Sequence, residues 1–130
     1  MIPGSEILRI GCGAGFANDR IDAAVALAER VDLDYLALEC LGERTVAFAQ
    51  LRRLGNARHG YDALLERRME ALLPILARKG TRLISNMGGA NPVGAAEATV
   101  AIARKQGVKI KVAAITGDDH PIHRDADYAR

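Results

Sequence analysis

Three groups of residues have the types and spacing to hold a small ligand and move a proton on it. The first is Gly11-Cys12-Gly13-Ala14-Gly15, a run of small residues ahead of a helix start. Exposed N–H groups and the dipole at such a place suit a phosphate or carboxylate, and glycines let the ligand approach the backbone. The second is Asn86-Met87-Gly88-Gly89-Ala90-Asn91-Pro92, where two glycines and two amides precede a helix start, a combination suited to an oxyanion or a carbonyl. The candidate ligand-binding residues are therefore Gly11, Gly13, Gly15, Asn86, Gly88, Gly89 and Asn91. The third group is acidic: Glu39, Asp118 and Asp119 are the candidate catalytic residues, with Glu43 on the same edge. Carboxylates in unequal surroundings can divide general acid and base roles.

Each feature also has a purely structural reading. Glycines permit a tight turn, Asn91 before Pro92 reads more readily as a helix cap, and Glu43 favours a helix start through the dipole. The first run is not a complete dinucleotide fingerprint, because Phe16 stands where the last glycine belongs and Asp34 precedes the second strand instead of ending it. No redox or nucleotide cofactor is evident. Asp118, Asp119, His120 and His123, with Asp125 and Asp127 nearby, have metal-ligating types. A His-Pro-Ile-His segment is not a helical i, i+4 pair, so the segment is assigned no metal and reads as a polar tail. Cys12 and Cys40 fall at strand ends and read as inert thiols, and His59 as a loop residue.

The elements that must position these groups alternate. Residues 7–10 lean towards a strand that ends at the glycines. Asn18 and Asp19 open a helix whose face is Ile21, Ala24, Val25 and Ala28. Residues 34–40 form a second strand, apolar enough to be covered on both faces. A helix with Ala47, Phe48, Leu51 and Leu54 on its apolar face closes at Gly55-Asn56. The next helix runs from about Tyr61, with Leu65, Met69, Leu72 and Leu76 in its stripe, Pro74 as a kink point and Gly80 as its stop. Residues 82–86 form a third strand, Asn91-Pro92 opens a helix with a Val93, Ala96, Val100 and Ala103 stripe, and residues 108–115 form a fourth strand.

This order predicts an α/β fold: an open parallel sheet with helices on both faces, in a Rossmann-like or flavodoxin-like order. Ligands in such sheets bind at the carboxyl ends of the strands, where all the candidate residues fall. Residues 1–119 are assigned to this domain and residues 120–130 to a polar tail. Because the chain stops one turn after a strand, the domain reads as incomplete, with a further chain segment, a second subunit or a homo-oligomer as its expected partner.

Composition narrows the function classes. The 130 residues fit one domain, and 49% hydrophobic with 26% charged residues is ordinary globular usage. Eighteen basic against sixteen acidic residues, a formal charge of +2, do not make the basic face that nucleic acid requires. No apolar run approaches the roughly 20 residues of a membrane span, and the start of the chain lacks the basic flank of a secretory signal. Two cysteines are too few for a disulfide scaffold. A cytoplasmic protein with a small-molecule substrate, no nucleic acid and no membrane is expected.

Four stretches together resemble the N-terminal region of the acyclic terpene utilisation family. They are residues 10–16, residues 33–41, Ser85-Asn86-Met87-Gly88-Gly89-Ala90-Asn91-Pro92, and Thr116-Gly117-Asp118-Asp119. In order and separation they cover most of the chain from Leu8 to Asp119, leaving the segment from His120 onward outside the resemblance. The resemblance implies a catabolic context, the breakdown of branched acyclic terpenoids through acyl-CoA intermediates. A branched carboxylate or a CoA thioester is then the expected substrate. The alternative is a noncatalytic α/β module that binds a phosphate-bearing ligand or a partner subunit.

Overall fold

A computed structural model describes residues 7–117. Its elements are β1 (Ile10–Ala14), α1 (Ile21–Arg30), β2 (Tyr35–Leu38), α2 (Glu43–Gly55), α3 (Leu65–Lys79), β3 (Arg82–Ser85) and α4 (Pro92–Lys105). The three strands form one parallel sheet in the order β1-β2-β3. The α/β class and the open parallel sheet are therefore as the alternation predicts. Consecutive order is that of one Rossmann half; in the flavodoxin order β1 would lie between its neighbours.

The first strand lies further along the chain than its sequence suggests. Gly11 and Gly13 are inside β1, not in a turn after it. A side chain at Gly13 would stand 2.7 Å from Leu38 Cδ2 and 3.1 Å from Ala24 Cβ, and one at Gly11 would stand 2.6 Å from Leu33 Cδ1. These glycines let α1 settle onto the strand, and the β1–β2 register shifts between Cys12 and Ala14.

Leu36, Leu38 and Ala14 join Ala24 and Ala28 of α1, the Leu65, Met69, Leu72 and Leu76 stripe of α3, and Ala95, Ile102 and Ala103 of α4 in a single core. Helix α1 packs against β1 and α3, and α3 against α4. Among the described residues the other face of the sheet is open. Rows Ile10, Tyr35, Arg82 and Cys12, Ala37, Ile84 lie across it, with Ile10 66% and Ile84 58% exposed. The second strand is thus half-covered, since Tyr35 and Ala37 alternate with fully buried Leu36 and Leu38.

Three further expectations are corrected. In α2 the apolar stripe faces outward: Phe48, Leu51 and Leu54 are exposed and Ala49 is the buried residue. The helix rests on the strand-end loops, where Ala49 and Arg53 meet Gly60 and Gly89, and it does not cover the sheet. In α4 the buried stripe is Ala95, Thr99, Ile102 and Ala103, so Val93 is exposed. Residues 108–115 form no strand. Val108 and Ile110 pack on the core, but everything from Lys111 to Gly117 is exposed, without the sheet pairing that would bury its apolar run.

Two helix ends follow their sequence signals. Asn91 Oδ1 accepts from Gly94 N at 2.9 Å, capping α4 with Pro92 in its first turn. Gly80 ends α3 in the left-handed region at φ 71°.

Candidate functional site

The turn after β1 carries its own anion. Gly15 N donates to Asp19 Oδ2 at 2.9 Å and Arg20 N donates to Asp19 Oδ1 at 2.8 Å. These two backbone donors, Gly15 first, hold the Asp19 carboxyl below its ordinary range. The place where a bound phosphate would sit at the start of α1 is thus filled by a side chain of the same loop. Of the three predicted glycines, only Gly15 lies in the turn; Gly11 and Gly13 serve packing.

The ends of β2 and β3 are joined by one amide. Asn86 Oδ1 accepts from Cys40 N at 2.7 Å, and Asn86 Nδ2 donates to Glu39 Oε1 at 3.1 Å. Leu41 N donates to the same oxygen at 2.9 Å. The amide of Asn86, then the Leu41 N–H, lowers the Glu39 carboxyl from its ordinary range. Glu39 is therefore ionised at neutral pH and suited to accept a proton, not to donate one. Its carboxylate is exposed at the strand ends.

The glycine run after β3 shapes the same edge. Gly89 N donates to Asn86 O at 3.2 Å and Ala90 N donates to Gly60 O at 2.8 Å. Gly89 has φ 53°, and a side chain on it would meet Gly60 O at 2.8 Å. A side chain on Gly88 would meet Pro92 Cα at 2.9 Å. Asn91 Nδ2 donates to Ala57 O at 3.2 Å and His59 O at 3.0 Å, tying the loop before α3 to the start of α4. Asn86, Gly88, Gly89 and Asn91 are thus brought together, and their described hydrogen bonds are made within the chain.

Beneath these loops lies Arg68, 1% exposed and the largest fully buried side chain among the described residues. Its Nη2 donates to Ala17 O at 3.0 Å and Asp19 O at 2.8 Å, while Nη1 donates to Cys40 Sγ and reaches Met87 Sδ at 3.8 Å. One guanidinium on α3 thereby fixes the loops after all three strands. Burial pushes the Cys40 thiol up to about 11, offset in part by the Arg68 charge, so Cys40 stays protonated at neutral pH. The sequence does signal Arg68: it stands between Leu65 and Leu72 at helical spacing, a charge on the buried stripe.

A half-enclosed cavity of about 150 Å³ opens between these loops and α2. Ala17 and Asn18, Cys40, and Met87 and Gly89 give it a wall from each strand-end loop. Helix α2 contributes Arg44, Phe48 and Arg52, residues that the motif reading passed over, and Asp62 is its acidic lining residue. A wider, shallower groove of about 890 Å³ runs between α1 and α3, remote from the strand ends and lined by mixed charges such as Asp22, Glu29, Arg30 and Arg67. The strand-end cavity is the better candidate because the loop geometry converges there.

Asp118 and Asp119 lie outside the described residues, as do His120, His123, Asp125 and Asp127. Among the described residues no group of three or more His, Cys, Asp or Glu stands together to hold a metal. No helix among them is long and apolar enough to cross a membrane.

A family profile described as "Acyclic terpene utilisation family protein AtuA" matches residues 8–128. The chain belongs to the acyclic terpene utilisation family. The match runs past Asp119, so the polar segment from His120 onward, expected to fall outside, is largely family sequence. Neither a curated protein nor a solved structure matches the chain. The four resembling stretches all lie within the matched residues, and the described parts of the first three fall in the strands and at the strand ends of this fold.

Proposed function

We propose that this member of the acyclic terpene utilisation family is part or all of a cytoplasmic catabolic enzyme that acts on a branched carboxylate or its CoA thioester. The substrate sits over the carboxyl ends of the strands, and Glu39 accepts a proton from it. One observation carries the reading: the half-enclosed cavity whose walls come from the loops after all three strands, with ionised Glu39 one residue before Cys40 of its lining. Asp118 and Asp119, on the family segment that follows, are the complementary proton donors in this reading. The expectation of a further chain segment or second subunit is supported by the open sheet face, since parallel sheets are ordinarily covered on both sides.

The experiment is a screen of branched acids and their CoA thioesters by thermal shift, followed by turnover assays on whichever stabilises the protein. Glu39→Gln keeps the shape of the side chain and removes the base. It is expected to lower turnover by about a hundredfold or more, in line with loss of a general base, while the thermal shift persists. Unchanged turnover in Glu39→Gln would refute the role of Glu39. In a second reading, a noncatalytic binding module, the ligand enters the same cavity without reaction; the engaged N–H groups of Gly15 and Gly89 and the engaged amide of Asn86 count against a phosphate held by these loops. Ligand stabilisation without any turnover would decide for that module.

A further inference from the structure

We propose that the cavity beneath α2 is a carboxylate subsite, in which Arg44 and Arg52 hold the anionic end of a ligand and Phe48 covers a compact apolar body. The inference rests on reading the strand-end cleft as the substrate site, and it names the part of the substrate that enters and the residues that grip it.

Charge is the first argument. The cavity lining brings two guanidiniums, Arg44 and Arg52, together with one carboxylate, Asp62. Asp62 Oδ1 accepts from Leu64 N at 2.8 Å, so that carboxylate is already turned to the start of α3. Arg52 Nη2 donates to Tyr61 O at 2.9 Å, which orients its guanidinium. Arg44 makes no hydrogen bond or ion pair with the described residues, which leaves its whole donor set for a ligand. Behind the Cys40 and Met87 wall stands the buried cation of Arg68, whose described hydrogen bonds go to backbone carbonyls and sulfur atoms and none to a carboxylate. Planar guanidiniums match a carboxylate in a two-pronged way that an ammonium does not.

Shape is the second argument. A cavity of about 150 Å³ matches a ligand on the order of six non-hydrogen atoms, the size of a benzene-binding cavity. Phe48 is 52% exposed at the cavity although it belongs to the apolar stripe of α2, and Ala49 and Met87 supply further apolar lining. A branched acid such as isobutyrate, with two oxygens and a compact hydrocarbon body, fits both the charge and the volume. A longer acid would place its head here and leave the rest over Phe48.

The test is an amide-resolved NMR titration of the full chain with isobutyrate, with neutral isobutyramide and unbranched acetate as comparison probes. The expected result is that isobutyrate perturbs residues 40–48 and 86–89, and that isobutyramide and acetate bind at least tenfold more weakly. Arg44→Gln weakens isobutyrate by about tenfold, a loss typical of one charge-assisted pair, and Arg44→Lys restores part of it. Phe48→Ala brings isobutyrate down to the affinity of acetate. Both positions are exposed, and an unchanged melting temperature shows that the fold is intact. Equal affinity for isobutyrate and isobutyramide, an Arg44→Gln variant that binds as wild type, or no binding of isobutyrate would each overturn the subsite.

The two proposals fail separately. If isobutyryl-CoA is turned over while isobutyrate binding is absent or indifferent to Arg44, the enzyme reading stands and the subsite falls. If isobutyrate binds in an Arg44-dependent way and no acid or thioester is turned over, the subsite stands and the enzyme reading falls.

Discussion

Cys40 shows how a residue at the site is governed by its surroundings. Its thiol, buried and touching Arg68, is pushed up to about 11 from an ordinary value near 9. Between about pH 9 and 11 the unfolded chain gives up a proton that the folded chain keeps, so stability falls as pH rises through that window. Urea unfolding of wild type and Cys40→Ala at pH 8 and pH 10.5 checks this. The wild type is expected to lose more stability than the variant between the two values; an equal loss would contradict the assignment. Tyr61, raised first by burial and then by its hydrogen bond to Glu66, contributes in the same direction and is common to both proteins, so the difference isolates Cys40. Residue types point to Asn91 as a cap and to both cysteines as buried inert thiols; Cys40 is buried, but Cys12 lies exposed in β1. Residue types do not reveal that the Asn86 amide is spent on Glu39 and the Cys40 backbone, because that pairing joins positions far apart in the chain.

Elements were legible where one face meets the core and obscure where it does not. The Leu65, Met69, Leu72 and Leu76 spacing of α3 and the Gly80 stop appear in the structure as the sequence has them, because that helix is pressed against both α1 and α4. Helix α2 has a weaker apolar stripe, and its Phe48, Leu51 and Leu54 face away from the core. Periodicity states that a face is apolar, not what covers it. Leu54→Lys is therefore expected to change unfolding free energy by less than about 0.5 kcal/mol. Ala49→Leu, which crowds the buried contact with Gly60 and Gly89, is expected to cost about 1–3 kcal/mol. Chemical denaturation of the two variants checks the ranking, and a larger loss in Leu54→Lys would mean that the stripe is buried. Strand β1 lies further along the chain than its residue types suggest, for a related reason. Gly11 and Gly13 look like a turn by type, but they lie in the strand, where a side chain would crowd Leu33 and Leu27 at Gly11 and Leu38 and Ala24 at Gly13.

At the scale of the molecule, one core of small and branched apolar residues holds three strands and leaves a sheet face open. The alternation of strands and helices was enough for the α/β class and the parallel sheet. The fourth strand failed because residues 111–117 meet no ladder among the described residues, and an apolar run needs a partner to become a strand. What the whole arrangement does achieve is convergence: the loops after β1, β2 and β3 are gathered by Arg68 and Asn86 and roofed by α2. This gathered edge is the proposed substrate site. Amide hydrogen exchange of the full chain with and without a branched acyl-CoA thioester tests it most directly. Slowed exchange is expected at residues 15–19, 39–48 and 86–91 alone, with the α1–α3 groove unchanged. Protection along that groove instead, with no change at the strand ends, would contradict it.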